Sequence, residues 1–262
     1  MNPTDYHQFT TDLTECLSAD ERVLGLIALG SMAAQHGRVP DAYSDHDFFV
    51  ITTSGEQEDL RRNLNWLPHH ERIVLTIRET AHGLKVLYDD AHLLEFAVFD
   101  RAELSQAALN DYRILLDRAD LAPVLAGLAE RSAPPAPDFQ RHADMVLALL
   151  VVGMGRYARG EKLSAHVFIK HHLWHHFLPL LVHCLPAPPT AVSRLDNLDA
   201  FRRFELLYPE VGTAVNDLLL QPIPRAAEGI LDLLETKTRP CLPNWSDTAV
   251  VTVRRYVAQL TG

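Results

Sequence analysis

The sequence predicts a mixed α+β domain, a sheet flanked by helices, followed by an all-α helical bundle. Short apolar, β-branched and aromatic runs recur through the first half, and beyond the middle of the chain they give way to apolar residues at helical spacing. Between the halves lies a proline-rich stretch, 132–137, which cannot continue a helix and favours an extended spacer. The boundary is placed there, giving a first domain of residues 1–134 and a second of 135–262.

Each element follows from its own residues. Tyr6, Phe9, Leu13, Cys16 and Leu17 recur at three and four positions behind Thr4 and Asp5 as N-cap candidates, and predict an amphipathic opening helix. Residues 23–29 are almost wholly apolar and end in Gly30 and Ser31, while 48–52 form a second such run; both read as buried strands joined by a polar loop. Further strands are expected at 72–77, 84–88 and 93–99, with a turn at Tyr88, Asp89 and Asp90 before the last. A short helix from Ala102, a strand at 114–116 and a helix at 121–131 complete this half. The second half reads as helices at 139–157, 161–183, 198–207, 211–220, 224–235 and 249–260.

Composition narrows the function classes. With 47% apolar and 22% charged residues the chain can bury a core, and a net charge of −10 repels nucleic-acid backbones and anionic membranes alike. A polyanionic ligand such as ATP would then need divalent cations or a local basic cluster. The longest apolar run, at 145–154, is about half a membrane span, and the polar start of the chain reads as no secretory signal. Three widely spaced cysteines form no C-x-x-C motif and suit a reducing compartment, so a cytoplasmic protein is expected.

The chemistry concentrates where the strand at 23–29 runs into Gly30 and Ser31 and, after thirteen residues, into Asp45, His46 and Asp47 at the head of the next strand. Residues two apart on a strand share a face, so Asp45 and Asp47 repel each other unless a cation lies between them, and hard carboxylate oxygens suit Mg²⁺. Gly30 permits a tight turn and close approach to a ligand, and Ser31 is read as opening a short helix able to hold a phosphate. Glu95 is a lone carboxylate inside an apolar strand, a costly placement unless it is coordinated, paired or open to a cleft. An antiparallel neighbour of the Asp45/Asp47 strand would let Glu95 face the same metal or take a proton from an attacking hydroxyl.

This arrangement over residues 23–100 resembles the nucleotidyltransferase superfamily of DNA polymerase β type. With a helical bundle behind it, the chain is similar to the antibiotic nucleotidyltransferases that act on lincosamides and aminoglycosides. The resemblance implies that Asp45 and Asp47 hold Mg²⁺, two ions in all, and that Glu95 is a ligand or base. It implies transfer of AMP from ATP to a hydroxyl of a small molecule such as one of those antibiotics, with release of pyrophosphate. The bundle would complete the nucleotide and acceptor site. His46 stands where the family usually has an apolar residue, which bears on the packing of that strand.

Weaker signals accompany these. Arg38 lies in the loop between Ser31 and Asp45, where a guanidinium can meet a triphosphate. Lys162, His166 and Lys170 fall one helical turn apart, so they form either a phosphate-binding stripe or a solvated helix face. His171, His172, His175 and His176 include two pairs at zinc-binding spacing, though packing and a polar flank explain them as well. Arg159 and His166 fit the short R-x(4–6)-H pattern of a helical ribonuclease class, against which the acidic charge argues. The alternatives to small-molecule transfer are a catalytically silent nucleotide-binding or interaction module of the same fold, and a transferase that modifies a protein side chain. No nucleic-acid or membrane partner is expected, and the reading leaves room for a homodimer.

Overall fold

A computed structural model of the protein describes residues 3–33, 39–109, 111–131, 137–186 and 199–260. The chain divides into two compact units, Met1–Ala133 and Pro134–Gly262. Most of the proline-rich stretch, residues 132–136, lies outside the described residues.

The first unit is a six-stranded mixed sheet. Its strands are β1 (Val23–Leu29), β2 (His46–Thr52), β3 (Ile73–Arg78), β4 (Gly83–Tyr88), β5 (Leu93–Asp100) and β6 (Tyr112–Asp117), in the spatial order β3-β4-β5-β2-β1-β6. Alternation along each strand sends side chains to two apolar layers. On one face Leu26, Ala28, Phe48, Val50, Leu94 and Phe96 pack with Tyr6, Phe9, Leu13 and Leu17 of helix α1 (Pro3–Ala19), as its periodicity predicts. On the other, Ile27, Ile51, Ala97 and Phe99 pack with Leu125 and Leu128 of α3 (Ala122–Arg131). The small helix α2 (Gln57–Arg62) supplies Leu60 to the first layer.

Three expectations change here. β5 is parallel to β2, not antiparallel, because the chain leaves β2 through α2 and returns by the β3–β4–β5 meander, a connection long enough for parallel pairing. The helix expected after Ser31 is one 3₁₀ turn, Gly30–Ala33, and that expected after Ala102 is another, Glu103–Gln106.

The second unit is helical: α4 (Phe139–Ala158), α5 (Lys162–Val167), α6 (Trp174–Cys184), α7 (Phe204–Leu207), α8 (Pro209–Leu220), α9 (Ile223–Thr238) and α10 (Asp247–Gln259). Its core is built from Leu150, Met154, Ile169, Trp174, Phe177, Leu181, Ile230 and Leu234, among others. The single helix expected over 161–183 is interrupted by a π-helical segment, Phe168–His172, which links α5 to α6. Of the helix expected over 198–207 only α7 forms among the described residues, since Arg203 before it takes a left-handed backbone, φ +67°. No helix is long and apolar enough to cross a membrane among the described residues. Cys184 and Cys241 form a disulfide, Cα–Cα 5.6 Å, contrary to the expected reduced state, and Cys16 is free and exposed. The sequence separation of 57 between the paired cysteines makes that pairing a product of the bundle rather than of any local motif.

Candidate active site

Strand parity assembles the site. Asp47 shares the odd-numbered face of β2 with Phe49 and Ile51, Asp45 immediately precedes the strand, and Glu95 shares that face of β5 with Ala97 and Phe99. In the parallel β2–β5 ladder Asp47 stands directly opposite Glu95. The result is three half-buried carboxylates with one ligand oxygen from each within 4.8 Å of the others. Such proximity costs roughly 1–3 kcal/mol per ionised pair without a compensating cation. The oxygen-only donor set, facing the end of a strand pair, fits Mg²⁺.

Gly30 makes room for that set. Its φ is +50°, and a Cβ placed there would lie 2.5 Å from Asp47 Oδ2. The Asp47 carboxylate therefore occupies space that only glycine leaves open, a sharper constraint than the tight turn expected from the sequence. The Ser31 hydroxyl is 3.4 Å from both the Asp45 carbonyl and the Tyr6 hydroxyl, and Tyr6 donates to the same carbonyl at 2.8 Å. Burial pushes the Tyr6 phenol well up; the Ser31 hydrogen bond opposes this and the charges of Asp47 and Asp45 reinforce it, so the hydroxyl keeps its proton.

His46, between the two aspartates, points to the opposite face and is fully buried. It stacks on Tyr6 with ring centroids 3.8 Å apart, and its Nδ1 lies 2.8 Å from Nε2 of His92. Its Nε2 lies 3.0 Å from the Thr10 hydroxyl and 3.2 Å from the Tyr6 carbonyl. Since that carbonyl can only accept, the network assigns the His46 proton to Nε2 and makes Nδ1 the acceptor from His92. Burial, then the charge of His92, lowers His46 to about 3, and burial lowers His92 to about 4, so both are neutral near pH 7. The departure at His46 thus keeps the strand packed: a polar side chain takes the apolar position with each ring nitrogen bonded.

Lys85 was not singled out in the sequence. It pairs with Glu95 in the β4–β5 register, and its ammonium is 2.9 Å from Glu95 Oε1 and 3.3 Å from Glu79 Oε1. The hydrogen bond to Glu95, then that to Glu79, raises the Lys85 pKa.

The remaining candidates fall elsewhere. Arg38 lies outside the described residues. In the helical unit, Lys162 and His166 are exposed on α5, while Lys170 sits in the π-helical segment and donates to the Leu219 carbonyl near the end of α8 at 2.7 Å. The wider π turn breaks the one-face stripe expected for the three. Arg159 is held by Glu161 at 3.0 Å. The histidines form two pairs, His171 with His175 at 3.4 Å and His176 with His142 at 3.2 Å. Among the described residues the one group of three or more metal-ligating side chains is Asp45, Asp47 and Glu95.

No known protein-family profile matches the chain, and no curated protein is significantly similar to it. Among solved structures, an aminoglycoside 6-adenyltransferase from Bacillus subtilis aligns over 96% of this chain and 97% of its own, at 12% identity and a TM-score of 0.41. At that distance it says nothing of this chain's activity.

Proposed function

We propose that the protein transfers a nucleoside monophosphate, AMP from ATP, to a hydroxyl of a small molecule, and releases pyrophosphate. The observation that carries this reading is the set of three carboxylates on adjacent strands with Gly30 leaving space beneath Asp47. Mg²⁺, when bound, supplies the positive charge that neutralises the triphosphate and the developing charge on the leaving pyrophosphate. Asp45 and Asp47 would hold the metal. Glu95 accepts the proton of the acceptor hydroxyl as its oxygen attacks the α-phosphorus. Gly30 and Ser31 receive the outer phosphates in this proposal. Lys170 already uses its ammonium on the Leu219 carbonyl, so a phosphate role would compete with that bond.

The acceptor class proposed is a polyhydroxylated antibiotic, a lincosamide or an aminoglycoside. The test is pyrophosphate release from each NTP with Mg²⁺ over a panel of such compounds, with the adduct identified by mass. A product heavier than the acceptor by one nucleoside monophosphate is expected. Absence of both product and ATP binding across the panel overturns the proposal, and ATP binding without any product favours the silent nucleotide-binding module. Intact-mass analysis of partner proteins covers transfer to a protein side chain.

A further inference from the structure

Resting on the reading above, we propose that Lys85 is a positioning residue that holds Glu95 back as the proton acceptor and keeps it from becoming a full metal ligand.

The geometry starts from the hairpin. β4 and β5 turn about Asp90, so Lys85 and Glu95, each five residues from it, are paired across the ladder and project to one face. The Lys85 ammonium takes Glu95 Oε1 at 2.9 Å and lies 3.3 Å from the more exposed Glu79 carboxylate. Glu95 therefore has one oxygen committed to an internal cation and one left for the site that Asp45 and Asp47 share. A carboxylate with two free oxygens beside a divalent cation can chelate it, and a chelating carboxylate is a poor proton acceptor. With Lys85 on one oxygen, bidentate ligation is blocked and the side chain is fixed in direction. The same positive charge lies beside the carboxylate set and disfavours a divalent cation there, which leaves the aspartates to determine metal affinity.

Two consequences separate this role from an ordinary surface ion pair, which would leave metal affinity and kinetics alone. Removing the ammonium should tighten metal binding while slowing the chemical step. Restoring a cation should reverse both.

The experiment uses the full chain and its Lys85→Met, Lys85→Arg and Glu79→Gln variants. Mn²⁺ affinity of the nucleotide-free protein is measured by calorimetry, and kcat and KM for ATP by pyrophosphate release. Lys85→Met is expected to bind Mn²⁺ roughly ten-fold more tightly, from loss of a like charge a few ångströms away. Its kcat should fall at least ~10-fold with KM for ATP within about a factor of two. Lys85→Arg should recover most of both, and Glu79→Gln, which leaves the Glu95 contact in place, should change neither by more than about two-fold. Wild-type Mn²⁺ affinity in Lys85→Met overturns the proposal, as does a raised KM for ATP at unchanged kcat, which would make Lys85 a phosphate contact. If the wild-type protein binds Mn²⁺ but transfers nothing, the transfer reading fails while the metal arm still decides whether Lys85 restrains Glu95. If it binds no Mn²⁺ at all, both fall.

Discussion

Among the described residues, the polar side chains buried as a whole are His46, Thr52, Arg61, His92 and Asp100 in the sheet unit and Thr238 in the helical unit. Each group of the first set is tied to a partner at defined geometry. Arg61, for instance, donates to the Val98 carbonyl at 3.0 and 2.5 Å and to Glu103 at 2.5 Å, anchoring α2 to β5. Leaving such a group unpaired costs about 1–3 kcal/mol, so each bond fixes an orientation that apolar packing alone would leave free. In the helical unit, cohesion comes from interlocked Leu, Ile, Phe and Trp side chains, which tolerate small shifts better than a metal-binding set does. The carboxylates stand on the unit whose apolar interior also carries directional polar bonds, as a site needing sub-ångström placement requires.

The strongest way to test this contrast is Asp47→Asn. The near-isosteric change removes the charge that holds the metal, so transfer should fall below detection while the sheet stays folded. Relief of carboxylate repulsion should leave the apo protein equally stable or more stable by ~1 kcal/mol or less. Urea unfolding and pyrophosphate release measure the two; wild-type turnover at saturating Mg²⁺ would exclude the acidic set as the metal site.

Next in size is Glu95→Gln, for which the chemical step should drop by ~10²–10⁴-fold at preserved ATP affinity if the carboxylate takes the proton. A shifted Mg²⁺ requirement would instead identify it as chiefly a ligand. In the other unit, Phe177→Ala removes a fully buried ring and should destabilise the helices by ~3–5 kcal/mol. Mn²⁺ affinity at the sheet's carboxylates should not follow it; if it does, the contrast between the units is wrong.

Acid acts on the sheet unit through two buried histidines. His46 and His92 are held neutral in the fold, at about 3 and about 4, below the ordinary histidine value near 6.5. The unfolded chain takes up these protons first, so stability is constant above about pH 6.5 and is lost as pH falls toward 4, on the order of a few kcal/mol. The double substitution His46→Leu, His92→Leu should flatten that limb in EDTA. An unchanged acid limb would place the sensitivity elsewhere.

The smallest expected effect is that of Gly30→Ala. The added methyl meets Asp47 Oδ2 and sits at a positive φ, which should cost ~1–3 kcal/mol and weaken Mn²⁺ binding through the displaced carboxylate. Wild-type metal affinity in this variant would show that Asp47 can move without loss.

Much of this was legible locally. The three- and four-residue spacing of Tyr6, Phe9, Leu13 and Leu17 is enough to make α1 a one-faced helix, and alternation along 46–52 and 93–100 is enough to put Asp47 on the side opposite His46. A lone Glu in an apolar strand likewise announces itself by its solvation cost. Lys85 was within reach too, since counting five residues back from the turn at Asp90 lands on the partner of Glu95.

What one strand says about another at long range was not legible. Whether β5 runs with or against β2 depends on how the intervening helix and meander route the chain, and only that parallel register sets Asp47 opposite Glu95. The bond from His46 to His92, the disulfide from Cys184 to Cys241 and the π segment that carries Lys170 to the Leu219 carbonyl have the same origin. Spacing along the chain determines which face a side chain takes, because backbone geometry repeats every two or 3.6 residues. Which faces then meet is decided by packing among segments tens of residues apart, and no local repeat encodes that choice.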